Sequence, residues 1–224
     1  MASPGLIVFD LDGTLVDSAP DLIDSLNVIL QREGCAPVPL EVGRKFVGRG
    51  GKVMIRRGFA AQDRPLDEGR LDTLFAAFLA YYNEHLSVKT RFYPGVEAAL
   101  DRLATKGHGF AICTNKLEHS SKKLLAELRA TERFRAIVGQ DTFPVSKPNG
   151  ATLHRTIEKA GGDPATAVMV GDTETDVLTA RDAKVPVIAV DFGYAPEPIA
   201  TLGPDAVISH FDELDAAVAA LGRG

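Results

Sequence analysis

Two acidic clusters in the sequence hold carboxylates at spacings that allow chemistry. The first is Asp10-Leu11-Asp12-Gly13-Thr14-Leu15-Val16-Asp17-Ser18, directly after the apolar run Leu6 to Phe9. The second is Gly171-Asp172-Thr173-Glu174-Thr175-Asp176, directly after the apolar run Ala167 to Val170. Ionised acids do not belong inside a buried strand, so each cluster is expected just beyond a strand's carboxyl end, where open α/β sheets bind ligands. Asp10 and Asp12 can face one pocket if the chain turns at Gly13. Asp172 and Asp176 are expected to share one face of a helix's first turn. Each cluster also has a plainer reading: a bare Asp-x-Asp-Gly is usually a solvated turn, and an aspartate near a helix start is ordinary capping chemistry.

The combination favours a site. Like charges about 4 Å apart repel by about 4 kcal/mol at the effective dielectric near a protein surface, so converging carboxylates need a cation. Hard oxygen ligands select magnesium, which also matches phosphate oxygens. Thr114-Asn115 ends the apolar run that begins near Phe110, offering a hydroxyl and an amide at the same sheet edge. Lys147-Pro148 lies in the loop after the run Ala136 to Val138 and brings a positive charge. Alone, the first pair reads as a helix cap and the lysine as a surface residue; order, spacing to strands and chemical type together point to phosphate.

The elements that must position these groups are legible in the apolar pattern. Leu6 to Phe9, Phe110 to Cys113, Ala136 to Val138, Ala167 to Val170 and Val187 to Val190 are short continuous apolar runs, as in strands buried on both faces of a parallel sheet. Helical spacing separates them: Val96, Ala99, Leu100 and Leu103 before Gly107, then Leu153, Ile157 and Ala160 before Gly161-Gly162. The alternation predicts an α/β fold with a doubly wound, mainly parallel, Rossmann-like sheet over 1–15 and 91–224. Residues 16–90 break it and read as helical throughout, with Leu22, Ile23, Leu26, Ile29 and Leu30 in one helix and Leu71, Leu74, Phe75, Phe78, Leu79 and Tyr82 in another. That block predicts an inserted all-helical cap on two linkers, near Val16 to Pro20 and Lys89 to Pro94.

The 224 residues suffice for a core domain plus this insertion, and 45% hydrophobic with 25% charged residues excludes a disordered chain. A net charge of -5 argues against a nucleic-acid binder. Cys35 and Cys113 make no disulfide framework or zinc pair, and the first apolar run is interrupted at Asp10, too short for a signal peptide or membrane span. These features predict a cytoplasmic protein that touches neither nucleic acid nor membrane, as a monomer or homodimer. The five histidines show no metal-ligand spacing.

In its four motifs, Asp10-Leu11-Asp12-Gly13-Thr14, Thr114-Asn115, Lys147-Pro148 and Gly171-Asp172 with Asp176, the chain resembles the haloacid dehalogenase superfamily of phosphatases with a helical cap. The resemblance implies a magnesium-dependent phosphomonoester hydrolase. Asp10 would be the nucleophile that forms an aspartyl-phosphate, and Asp12 the general acid and then base. Magnesium would be held by Asp10, the backbone carbonyl of Asp12, and Asp172. Thr114, Asn115 and Lys147 are expected on the transferring phosphoryl group, with Asp176 behind them orienting Lys147 or a water on the ion.

Substrate choice is expected from the cap stretch Phe46-Val47-Gly48-Arg49-Gly50-Gly51-Lys52-Val53. It is no nucleotide-binding P-loop, because Phe46 and Val53 stand where glycine and Ser/Thr are required. Arg49, Gly50 and Lys52 are candidates to reach the substrate; a helix–helix turn with solvated cations is the alternative. The loop resembles the Val-Gly-x-Gly element of phosphoglycolate phosphatases, as do Phe92-Tyr93-Pro94-Gly95-Val96 and Phe192-Gly193-Tyr194, which implies 2-phosphoglycolate as the small phosphorylated metabolite. Lys147-Pro148-Asn149-Gly150 departs from the pattern by lacking a second proline. A sugar phosphomutase, another small-metabolite phosphatase and a non-catalytic phospho-acceptor module are the competing readings.

Overall fold

The computed structural model describes residues 5–222. The chain begins with β1 (Leu6–Phe9) and a two-residue strand β2 (Val16–Asp17). Four helices follow: α1 (Ala19–Arg32), α2 (Leu40–Arg44), α3 (Gly51–Ala60) and α4 (Leu71–His85). After β3 (Arg91–Phe92) come α5 (Val96–Thr105), β4 (Gly109–Cys113), α6 (Glu118–Glu127), β5 (Ala136–Val138) and α7 (Gly150–Lys159). The chain then runs through β6 (Val168–Gly171), α8 (Glu174–Asp182), β7 (Val187–Val190), β8 (Ala206–Ile208) and α9 (Leu214–Ala220).

Six strands form one wholly parallel sheet in the order β5-β4-β1-β6-β7-β8. Alternation along β1 sets the two faces: Ile7 and Phe9 enter one hydrophobic cluster, Leu6 and Val8 the other, and all four are buried. Each such side chain contributes roughly 1.5–3 kcal/mol on burial. The connection from β1 leads to β4 on one side, whereas the chain after β6 continues to β7 on the other. The crevice between β1 and β6 is therefore the topological switch point of the sheet.

The stretch expected to be helical from Val16 onward is corrected at its start. Val16–Asp17 pairs antiparallel with Arg91–Phe92 as a small ribbon, so the two linkers are hydrogen-bonded to each other. Pro20 belongs to the first turn of α1, where a missing amide costs nothing. The buried Asp21 then ties the return linker down by accepting from Lys89 N at 3.0 and 2.9 Å, Thr90 N at 2.8 Å and Thr90 Oγ1 at 2.8 Å. Helices α1 to α4 pack on one another, and their apolar interior joins the sheet's cluster through Leu11, Leu15 and Val16. Among the described residues no helix is long and apolar enough to cross a membrane.

Candidate active site

Asp10 leaves β1 at the switch point, its amide donating to Val170 O at 2.9 Å across the β1–β6 pair. Asp172 leaves the adjacent β6, so the two acids emerge side by side. Thr114 leaves β4 on the other flank of β1, its amide donating to Val138 O of β5 at 3.0 Å. The sheet thus delivers three motifs to one edge, and the loop after β5 brings Lys147 down onto them.

Lys147 is buried, with Nζ 2.6 Å from Asp176 Oδ1 and 2.9 Å from Asp10 Oδ1. Carboxylate oxygens of Asp10, Asp172 and Asp176 all lie within 4.8 Å of one another. Asp172 Oδ1 accepts from Thr14 Oγ1 at 2.9 Å and its Oδ2 from Tyr194 N at 2.7 Å. Close packing demands glycine around it: a Cβ on Gly13 (φ 92°) would sit 2.2 Å from Asp172 Oδ2. Thr114 Oγ1 accepts from Lys116 N at 3.2 Å. The hydroxyl's own proton finds no acceptor among the described residues.

One expectation needs correcting. Asp172 and Asp176 do not share a helical turn, because α8 starts at Glu174 with Thr173 as its N-cap. Asp176 is the third residue of the helix and closes a capping box. Its Oδ2 accepts from Thr173 N at 3.0 Å, Thr173 Oγ1 at 2.8 Å and Asp172 N at 3.2 Å. With Oδ1 given to Lys147, both oxygens of this carboxylate are engaged. One side chain thus makes both the capping bonds and the bond to Lys147.

Asp12 has partners that the spacing did not disclose. Its Oδ1 accepts from Ser18 Oγ at 2.6 Å, and both oxygens lie 2.9 Å from Lys116 Nζ. Lys116 follows the Thr114-Asn115 motif, which was the only local hint of its role. Its ammonium also sits 4.6 Å from the centroid of the Tyr82 ring, so it joins the core acid to cap helix α4. Burial disfavours that charge, but Asp12 and Tyr82 outweigh it and hold the lysine protonated, above its ordinary range.

The cap candidates separate. Gly50 is the N-cap of α3, and Gly50, Gly51 and Met54 line the cavity over Asp10 and Asp12. That cavity measures about 50 Å³, room for little more than a water or two. Asn115 lines it too, its Nδ2 donating to Lys147 O at 3.3 Å while its Oδ1 is buried without a partner. Arg49 instead pairs with Glu174 at 2.9 Å and lines a separate groove of about 380 Å³ beyond Val47 and Gly48. Lys52 turns to Asp72 and the Phe75 ring and does not line the Asp10 cavity. The first turn of α3 therefore faces the acids, and the two cations expected there do not.

A family model described as haloacid dehalogenase-like hydrolase matches residues 7–190, which includes every motif at the sheet edge. The chain belongs to the haloacid dehalogenase-like hydrolases. This hydrolase is 50% identical over 209 residues to a phosphoglycolate phosphatase of Mesorhizobium japonicum, covering 93% of this chain and 92% of that one. It is 44% identical to a phosphoglycolate phosphatase of Agrobacterium fabrum, covering 95% of this chain and 91% of that one. The crystal structure of a predicted phosphoglycolate phosphatase from Haemophilus somnus superposes with a TM-score of 0.90 at 29% identity, covering 96% of this chain and 98% of that one.

The hydrolase's charge balance fits a divalent cation. Four buried carboxylates (Asp10, Asp12, Asp172, Asp176) face two buried ammonium groups (Lys116, Lys147), leaving two negative charges uncompensated. Burial pushes the Asp10 carboxyl up to about 6, with Lys147 opposing and Asp176 and Asp12 adding. Burial likewise raises Asp172 well above the carboxylate range, reinforced by Asp176 and Asp10. Asp10 Oδ1, though near Lys147, is buried with no aligned hydrogen bond. A buried, under-neutralised cluster of carboxylate oxygens within 4.8 Å of one another is what a hard metal ion would satisfy.

Proposed function

We propose that this hydrolase cleaves a small phosphate ester, 2-phosphoglycolate to glycolate and phosphate, through a phosphoryl intermediate on Asp10. The observation that carries the reading is the buried Asp10 carboxylate at the switch point, flanked by Lys147 and Asp172 and roofed by the first turn of α3. The name that the relatives carry supports the choice of ester.

Magnesium suits the donor set of Asp10, the Asp12 carbonyl and Asp172; when bound it supplies positive charge to the phosphoryl oxygens and lets the clustered acids ionise together. An Asp10 carboxylate oxygen attacks phosphorus, the bond from phosphorus to the glycolate oxygen breaks, and the departing alkoxide takes a proton from Asp12. Lys116 Nζ lies 2.9 Å from both Asp12 oxygens in this structure and has to part from them for that first transfer. Asp12 then removes a proton from water, which attacks phosphorus, and Asp10 is restored as phosphate leaves. Lys147 and the free Thr114 hydroxyl proton balance charge on the equatorial oxygens. Asp176, fixed by the capping bonds to its Oδ2, keeps Lys147 in place.

The first-turn amides of α3 carry partial positive charge and suit the substrate's carboxylate better than Arg49 or Lys52, which are paired elsewhere. The small cavity means that substrate enters by displacement of the cap, which Lys116 on Tyr82 and Ser120 Oγ to Asn83 Oδ1 (2.8 Å) hold down. The partner is a small metabolite, and the two free, buried thiols suit the reducing cytoplasm.

Phosphate release from a panel of esters with magnesium tests the reading. The expected outcome is the highest kcat/KM on 2-phosphoglycolate. Conversion of a hexose 1-phosphate to its 6-phosphate without phosphate release would assign a mutase, and a stable phosphoprotein without turnover would assign an acceptor module.

A further inference from the structure

Helix α1 begins in an unusual way. Its N-cap is Ser18, a residue whose hydroxyl ordinarily accepts from the helix's own first-turn amides, yet no such bond is made. The Ser18 hydroxyl instead donates to Asp12 Oδ1 at 2.6 Å. The oxygen at the helix start comes from Tyr194, far along the sequence in the loop after β7. Tyr194 OH accepts from Ser18 N at 2.8 Å and Ala19 N at 2.9 Å, and donates to Asp17 Oδ1 at 2.8 Å. These three bonds exhaust a phenol's capacity of one donor and two acceptors. The ring is 3% exposed, and burial drives the phenol's ionisation well above its ordinary range, so the hydroxyl keeps its proton.

The other end of the same residue is bonded to the acid site: Tyr194 N donates to Asp172 Oδ2 at 2.7 Å. One buried residue thus grips the entry of the cap with its side chain and the Asp172 carboxylate with its backbone. On the outer side, Arg44 of α2 completes the grip with a bidentate pair to Asp17 at 2.9 and 2.8 Å. The first turn of α1 is held from two sides, by Asp21 bonded to the return linker and by the Tyr194 hydroxyl at the helix start, and only the second leads back to Asp172.

We propose that Tyr194 is a positioning residue that couples the state of Asp172 to the hinge of the cap. Fixing Asp172 fixes the Tyr194 backbone, the hydroxyl then holds Ser18 and Ala19, and α1 carries the cap over Asp10. With Asp172 unsettled, the same hydroxyl is displaced and the cap is freer to open. The inference rests on the phosphatase reading for its kinetic consequence alone, since the mechanical coupling requires only that Asp172 be ordered.

Hydrogen exchange at the Ser18 and Ala19 amides, measured on the full chain with and without magnesium, tests the coupling without any substrate. In the parent, magnesium should slow exchange at both amides several-fold. In Tyr194→Phe, which keeps the ring and the backbone bond to Asp172, exchange should be fast and indifferent to magnesium. Kinetically, Tyr194→Phe should raise KM about fivefold, the weight of one net hydrogen bond, because a smaller closed fraction weakens apparent affinity, with kcat changed less. Arg44→Ala strips the outer ion pair but leaves the three hydroxyl bonds, so it should retain the magnesium response.

An equal magnesium response in the parent and Tyr194→Phe overturns the coupling, as does no response in the parent. If Tyr194→Phe fails to fold by circular dichroism, Asp17→Ala, which removes the acceptor that orients the hydroxyl, goes through the same measurements. Faster exchange and a smaller magnesium response than the parent are then expected, and an unchanged response overturns the coupling. A parent that shows the exchange effect but does not hydrolyse 2-phosphoglycolate would leave the coupling standing and sink the substrate assignment.

Discussion

The acids at the sheet edge and the cations of the cap loop are both charged groups that the sequence assigns to one site, yet the fold treats them in opposite ways. Asp172, Asp176 and Lys147 are almost fully buried, and each meets two or more partners on separate elements. Arg49 and Lys52 are about half exposed, at 54% and 46%, and each has a single acidic partner. In a low-dielectric, water-poor setting, a misplaced charge is expensive and geometry is over-determined; at the surface one ion pair fixes little. The groups assigned to chemistry are therefore held before substrate arrives. On the proposed function, recognition would fall to backbone amides at the start of α3 and to movement of the cap.

The sharpest way to break this comparison is at Asp10. Asp10→Asn should reduce phosphate release to background while leaving the circular dichroism of the fold intact; substantial magnesium-dependent turnover by that variant would remove the nucleophile from the scheme. Asp12→Asn should cost roughly 10²- to 10⁴-fold in kcat, the range for a lost general acid and base, read from the same assay.

Lys147→Ala asks how much of the site is stability rather than chemistry. Removing one partner from a buried ionic cluster should lower unfolding free energy by about 3–5 kcal/mol in chelator, measured by urea denaturation. Added magnesium should restore part of that loss, since it replaces positive charge beside Asp10.

A gentler probe is pH. Asp10 is raised from the ordinary 3.8 to about 6 in the fold, chiefly by burial. The unfolded chain therefore gives up this proton first, so Asp10's contribution is full below about pH 4 and is lost as pH rises through about 6. Asp172, also raised, acts in the same direction. Metal-free protein compared with metal-free Asp10→Asn should thus lose relative stability between about pH 4 and 6, and magnesium should flatten the difference. A difference that grows in the opposite sense would mean that Asp10 is ionised and stabilising without metal.

The smallest effects are expected at the exposed cations. Arg49→Ala and Lys52→Ala should leave the thermal midpoint unchanged within error and kcat/KM within about threefold of the parent, as exposed single pairs allow. A tenfold or larger rise in KM from either would mean that the side chain leaves its surface partner and reaches the substrate when the cap moves.

Much of the site was legible because its signals are local. A run such as Leu6 to Phe9 ending in an aspartate tells where a strand stops and where a carboxylate emerges, and the same logic located Thr114, Lys147 and Asp172. The weak elements were not legible in this way. Strand β8 is three residues at the sheet's edge and only partly buried, and the ribbon of β2 with β3 offers two residues a side, too few for a period to register. The run of helical spacing in the cap drowned out Val16 and Asp17.

By itself the sequence determined the alternating α/β order, the inserted helices and the candidate groups that the fold brings together at one sheet edge. Residue type and period are properties of short stretches, and those stretches suffice. Only the tertiary structure decided which lone pair meets which donor. It turned Lys116 onto Asp12, 104 residues away, and Ser18 from capping α1 to holding Asp12. It put the Tyr194 hydroxyl, 176 residues on, in place of Ser18's. It also sent Lys52 to Asp72 and opened the first turn of α3 onto the acids. A hydrogen bond needs its partners within about 3 Å and aligned, and no local pattern encodes that distance between segments so far apart in the chain.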